Sequence, residues 1–277
     1  MRTIGEFARV RRAPGWVICL VIAAQIAGDA FINLVVFRHH WLVPLDHATG
    51  SLLNITFWAN LVLLVVVVGG MIFGLARLSP ADVGLSGKDI GPVLLFSLGL
   101  WAIVNGAVLC DTLWRSVPLA LDPAWAKPVA NAGRFIAQLF GNALYEEIVY
   151  RGFLTIQVMM VLMRRLPRTP ALLIAVVAVQ AIFAGIHVPM LIVIGNSWPA
   201  ILSTMPTLFL AGLMLAAIFL LTGNLLVAIG VHALTDAFML IARDSVGLGD
   251  FPYLLLGLAG AFVWRLCAHP YRAFSKA

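Results

Sequence analysis

The chain has 277 residues, of which 62% are hydrophobic and only 11% charged, with a mean hydropathy of +1.02. Soluble domains carry about 25% charged residues, so this composition excludes one and points to a protein whose main solvent is lipid. The formal charge of +6, from 18 Lys+Arg against 12 Asp+Glu, would suggest nucleic acid in a soluble chain; in a membrane protein it belongs to basic cytoplasmic loops, and no nucleic-acid partner is expected.

Crossing a hydrocarbon core of about 30 Å takes about 20 apolar residues in a helix. Eight stretches qualify, at 15–37, 52–76, 91–110, 135–162, 169–190, 199–222, 224–242 and 251–268. The first follows Arg9, Arg11 and Arg12 and could pass for a signal peptide, but the seven further stretches favour a retained anchor. Ser79–Gly91 is a turn-rich connection, and Arg115–Gly133, with Pro118, Pro123 and Pro128, is the longest one on the opposite side. With the N-terminus inside, Arg2, Arg77, Lys88, Arg164, Arg165, Arg168, Arg265, Arg272 and Lys276 join the first arginines on the inner face. Arg38, Arg115, Lys127, Arg134 and Arg243 fall outside. The positive-inside rule then places both termini in the cytoplasm. The expectation is an all-α polytopic membrane protein of about eight transmembrane helices, a single integral membrane domain over 1–277. Short loops and Ala/Leu/Val-rich spans suit a prokaryotic cytoplasmic membrane. Cys19, Cys110 and Cys267 are far apart and imply neither a disulfide framework nor a metal motif.

An ionisable side chain at bilayer depth costs at least ~2.5 kcal/mol on insertion scales, so those that remain are candidates for function. They are Asp29, Glu146, Glu147, Arg151, His187, His232 and Asp236. Glu147 and Arg151 stand four apart with the acid first, the favourable order for a helical ion pair. Glu146, about 100° around the helix, has no such partner. It continues a stripe of Arg134, Gln138, Asn142 and Glu146, a polar face that must look at protein or water. Phe183 and His187 share a helix face, as do His232 and Asp236. Any one of these pairs taken alone reads equally as a satisfied structural contact; three spans that each present a histidine or carboxylate inwards can together assemble a water-activating site.

The series EEIVYR at 146–151, FAGIH at 183–187 and HALTD at 232–236 resembles, in order and spacing, the motifs EExxxR, FxxxH and HxxxN or HxxxD of the CAAX-protease and bacteriocin-processing family of intramembrane proteases, also called the abortive-infection family. The motif-bearing core spans about 135–245. The resemblance implies that Glu146 and His187 activate the attacking water and that His232 and Asp236 stabilise the oxyanion. Glu147 and Arg151 match supporting positions, Phe183 matches an aromatic lining the site, and Asn142 on the polar stripe is a further supporting residue. An ionised Asp236 cannot donate to an oxyanion; it would have to be protonated, orient His232 or bind a metal. Glu146, His187, His232 and Asp236 would make an N/O ligand set for zinc or another divalent metal, and water activation with or without a metal stays open. The implied substrate is a membrane-associated protein or peptide, lipidated or not.

The site carries one geometric tension. By residue count His187 lies near the outer end of its span, whereas His232 is roughly 12 Å from the inner end of its own. The two meet only if helices break or tilt.

Other readings compete. GLGD at 247–250 and Pro170-Ala171-Leu172 resemble motifs of intramembrane aspartyl proteases, but their order is reversed and the second catalytic Asp is missing. No HExxH or GxSG is present. A transporter or proton-relay protein would use the same buried histidines and carboxylates, with Gln25, Asp29 and Asn33 as a polar path on the first span; the same stripe suits packing against the polar face of the fourth span better. A non-catalytic membrane scaffold of the same fold is the third reading.

Overall fold

In lipid every backbone N–H and C=O must be satisfied within the protein, and long apolar runs meet that demand as helices. The computed structural model describes residues 10–85, 87, 90–244 and 251–268, and among these no strand occurs. Arg2, Arg9, Lys88, Arg272, Lys276 and the GLGD tetrapeptide lie outside the described residues. In chain order the helices are α1 (Gly15–Phe37), short α2 (Val43–Ala48), α3 (Ile55–Leu75), α4 (Ile90–Trp114), α5 (128–162), α6 (Arg168–Val193), α7 (Trp198–Thr222), α8 (Leu225–Asp236) and α9 (Phe251–Ala268).

Among the described residues, α1, α3, α4, α6 and α7 are long and apolar enough to cross a membrane. Their outward faces carry lipid-facing side chains such as Val65, Leu95, Leu98, Leu173 and Leu202. Of the charges expected at bilayer depth, Asp29 lies on α1 and His187 on α6, whereas Glu146, Glu147, Arg151, His232 and Asp236 gather on α5 and α8, the two most buried helices. Every residue of Glu147–Thr155 is buried, and so is every residue of α8 apart from Leu226 and Asp236. Enclosure by protein is what permits charge there.

Local chemistry sets the helix boundaries. Asn54 caps α3, its side chain accepting from the Phe57 N–H at 3.1 Å, and Pro128 opens α5 at a position whose N–H would be unpaired in any case. Gly223, at φ +64°, ends α7 in the left-handed conformation, and Asn224 caps α8 through the Leu226 N–H at 3.0 Å. Gly84 secures this joint. It sits at φ +88°, a Cβ there would lie 2.7 Å from the Phe219 ring, and its carbonyl accepts from the Leu225 N–H at 3.0 Å.

Two helices differ from the expected spans in ways that matter for the site. First, α6 breaks at His187, because Pro189 removes a helical N–H and the chain resumes as Val188–Val193. Second, the seventh span was expected over 224–242, yet α8 stops at Asp236, about 18 Å of helix. Residues 237–244 run instead as an irregular strap whose backbone is satisfied from elsewhere. The Trp101 and Trp125 indoles donate to the carbonyls of Met239 (2.8 Å) and Leu240 (2.7 Å), and Asn105 accepts from the Ile241 N–H at 2.8 Å. These two breaks resolve the tension between His187 and His232: each sits within a turn or so of an interruption in its helix.

Candidate active site

The site is built on α5, where Glu146 lies between two stretches of π-helical turns, Gln138–Asn142 and Glu147–Thr155. Wide turns of this kind re-aim successive side chains and recur at functional sites. They also hold the four-residue stripe of Gln138, Asn142 and Glu146 on one face. Thr155 supports the altered pattern by donating its hydroxyl to the Tyr150 carbonyl, five residues back, at 2.7 Å.

Glu147 and Arg151 are both fully enclosed. Arg151 Nη1 donates to Glu147 Oε1 at 2.9 Å, and the guanidinium carbon stands 4.3 Å from the centre of the Phe183 ring. The same Glu147 oxygen receives His232 Nδ1 at 2.8 Å. Because the carboxylate can only accept, Nδ1 is the donor, and the other ring nitrogen is fixed in direction. That nitrogen, Nε2, lies 3.6 Å from Glu146 Oε2 and 3.5 Å from Asp236 Oδ2. Asn142 Nδ2 reaches Asp236 Oδ2 at 3.4 Å. Thus α5 and α8 bring together six of the predicted site residues.

His187 enters from the break in α6. Its Nδ1 donates to the Phe183 carbonyl at 2.7 Å, which leaves Nε2 as the acceptor of a neutral ring. Phe183 itself was expected to line the site, but it is buried behind it, edge-on to His187 with ring centres 4.8 Å apart and to His232 at 6.5 Å. Its ring touches both imidazoles and the Arg151 guanidinium.

Glu146, His187, Asp236 and Asn142 open onto a cavity of about 480 Å³, a size suited to a small ligand or a short peptide segment. His232 stands behind Glu146 and Asp236, off the cavity wall. Glu146 Oε2 is buried on the side of His232 Nε2 and makes no hydrogen bond. The opposite wall comes from α1 and α3, with Asp29, Asn33, Thr56 and Asn60 among its side chains. Of the Gln25–Asp29–Asn33 stripe, Gln25 meets the fourth span, where Tyr145 donates to its Oε1 at 2.6 Å, and Gln25 donates in turn to Asp29, while Asp29 and Asn33 line the cavity.

Sequence reasoning had no reason to single out Tyr145 or Gly212. A Cβ on Gly212 would lie 2.9 Å from Gln180 Oε1 and 3.0 Å from the Phe183 ring, and its carbonyl accepts from Arg151 Nη2 at 3.4 Å. A glycine inside the otherwise bulky apolar run of α7 was the one available signal.

As for a metal, among the described residues no three His, Cys, Asp or Glu side chains are disposed to hold an ion. No catalytic step is therefore derived through a metal.

No curated protein and no solved structure matches the chain. Residues 128–238 match the family model described as type II CAAX prenyl endopeptidase, Rce1-like, which spans α5 through α8 and contains all three motifs. The chain is therefore a polytopic helical membrane protein whose residues 128–238 are similar to the Rce1-like, CAAX-endopeptidase type of domain.

Proposed function

We propose that the protein hydrolyses a peptide bond of a membrane-associated protein or peptide, using water activated by Glu146 and His187. The observation that carries this reading is that Glu146 and His187, a carboxylate and an imidazole from two different helices, line the same cavity. A water held there gives its proton to the Glu146 carboxylate, while His187 Nε2, oriented by the bond from Nδ1 to the Phe183 carbonyl, accepts a hydrogen bond from the same water. The hydroxide adds to the carbonyl carbon. Glu146 then returns the proton to the departing amide nitrogen, so that carboxylic acid and amine leave with the atoms of one water shared between them.

The tetrahedral oxygen needs donors. His232 Nε2, which faces Glu146 and Asp236, supplies one when it carries a proton. Asn142 Nδ2 carries two N–H groups and supplies a neutral donor that an ionised Asp236 cannot; Asp236 orients it by accepting from one of them and faces His232 Nε2 at 3.5 Å. Arg151 and Glu147 keep this arrangement fixed from behind.

The test is cleavage of a panel of lipidated and transmembrane peptides by the reconstituted protein, with products identified by mass spectrometry. Wild type is expected to cut at least one, and Glu146→Ala none. Equal cleavage by both proteins would end the proposal.

A further inference from the structure

The cavity has two walls of different origin. The reactive wall, with Glu146, His187 and Asp236, lies within the Rce1-like residues 128–238. The facing wall is contributed by α1 and α3, outside that match. What the facing wall recognises is thus a property of this chain's own residues.

Its one ionisable side chain is Asp29, and its neighbours leave that carboxylate without a cation. Gln25 donates to it, but Gln25 is neutral and is itself held by Tyr145. Asn33 donates to the Asp29 backbone carbonyl at 2.9 Å rather than to its side chain. Among the described residues, the cavity is lined by three carboxylates, Asp29, Glu146 and Asp236, and by no Lys or Arg. Arg151, the basic side chain buried behind the site, is committed to Glu147 and the Gly212 carbonyl. A carboxylate walled by protein interacts more strongly with a charge that enters than it would in bulk water. A substrate's own carboxylate would be repelled.

We infer that Asp29 selects a substrate segment bearing a Lys or Arg side chain that enters the cavity beside the scissile bond, and disfavours a free C-terminal carboxylate there. This rests on the endopeptidase reading for the fate of the bound segment. Asp29 accepts hydrogen bonds from the cation through the oxygen Gln25 does not use. Its distance along the cavity from Glu146 fixes the position of the basic residue relative to the cut. Asp29 is accordingly a specificity-determining residue, with no part in the proton transfers.

The experiment uses N-acetylated, C-amidated membrane peptides identical except for Lys, Gln or Glu placed at each position of one apolar segment in turn. Both equilibrium binding to the full-length protein in nanodiscs and cleavage are measured. Wild type is expected to prefer Lys to Glu by about tenfold in binding at one position or more, the range of a hydrogen bond to a charged group. That ratio should collapse towards one in Asp29→Asn and invert in Asp29→Lys; a ratio of two peptides is insensitive to the folded fraction of each variant. Replacing the terminal amide by a free acid near the same position should weaken binding to wild type and strengthen it to Asp29→Lys. Indifference of the wild type to the charge, or an unchanged ratio in Asp29→Asn, would overturn the assignment. The endopeptidase reading fails separately, when wild type and Glu146→Ala give the same cleavage products, and the binding ratios still decide the role of Asp29.

Discussion

His232 Nδ1 lies 2.8 Å from Glu147 Oε1, so the histidine of the third motif is oriented by the second glutamate of the first. The same oxygen also receives Arg151, and this carboxylate therefore couples a structural ion pair to the ring that faces the reactive groups.

Removing the cation of that group should be costly. Arg151→Ala leaves Glu147 buried without its main partner and is expected to destabilise the protein by about 3–5 kcal/mol, read as unfolding in mild detergent. Arg151→Met combined with Glu147→Gln should recover part of the loss, because neither buried charge is then left uncompensated. A single Arg151→Ala with wild-type stability would mean that the pair does not hold α5.

Gly212→Ala tests the spacing of α6 and α7. The added methyl would press on Gln180 and on Phe183, and overpacking of this kind costs about 1–3 kcal/mol. Because Phe183 touches both imidazoles, activity should fall more steeply than the population of folded protein. Thermal unfolding and turnover measured on the same samples separate the two effects.

The contact between α1 and α5 is open to a single-atom change. Tyr145→Phe removes the hydroxyl that satisfies Gln25 Oε1; an orphaned buried acceptor costs about 1–3 kcal/mol. A loss well below that in unfolding experiments would show that Gln25 finds another donor.

Asp236 discriminates between its two possible contributions. Acting as an acceptor that aligns Asn142, it should tolerate Asp236→Asn with turnover within about tenfold of wild type, whereas Asp236→Ala should lose about 10²–10³, the scale seen when a preorganised oxyanion partner is deleted. Comparable losses in both variants would require the negative charge itself.

Activity is expected to withstand extended dialysis against a chelator, since among the described residues no three His, Cys, Asp or Glu side chains are disposed to hold an ion. Loss of turnover on chelation, with recovery on adding zinc, would place a metal among Glu146, His187, His232 and Asp236.

Much of the site was legible because a bilayer makes charge expensive. In so apolar a chain Glu146, Glu147, Arg151, His187, His232 and Asp236 stand out, and four-residue spacings pair them before any coordinates are considered. The limits of the helices were less legible. The apolar run Phe238-Met239-Leu240-Ile241 contains no breaker, so nothing local stops α8 at Asp236. The strap forms because Trp101, Asn105 and Trp125 offer it hydrogen bonds from over a hundred residues away. The break at His187 had a local cause in Pro189, while its consequence, an imidazole turned towards the cavity, depended on packing against Phe183. The polar stripe on α1 was visible as a stripe. That it both seals against Tyr145 and exposes Asp29 to the cavity follows only from how α1 leans on α5.

The central claim is that the Glu146 carboxylate activates the water. It is tested most directly by the single-turnover cleavage rate of one reconstituted peptide with wild type and with Glu146→Gln, an isosteric change that keeps the side chain but removes its capacity as a base. The account predicts a fall of at least about 10²-fold with unfolding behaviour and peptide binding retained. A Glu146→Gln protein that cleaves at the wild-type rate would contradict it.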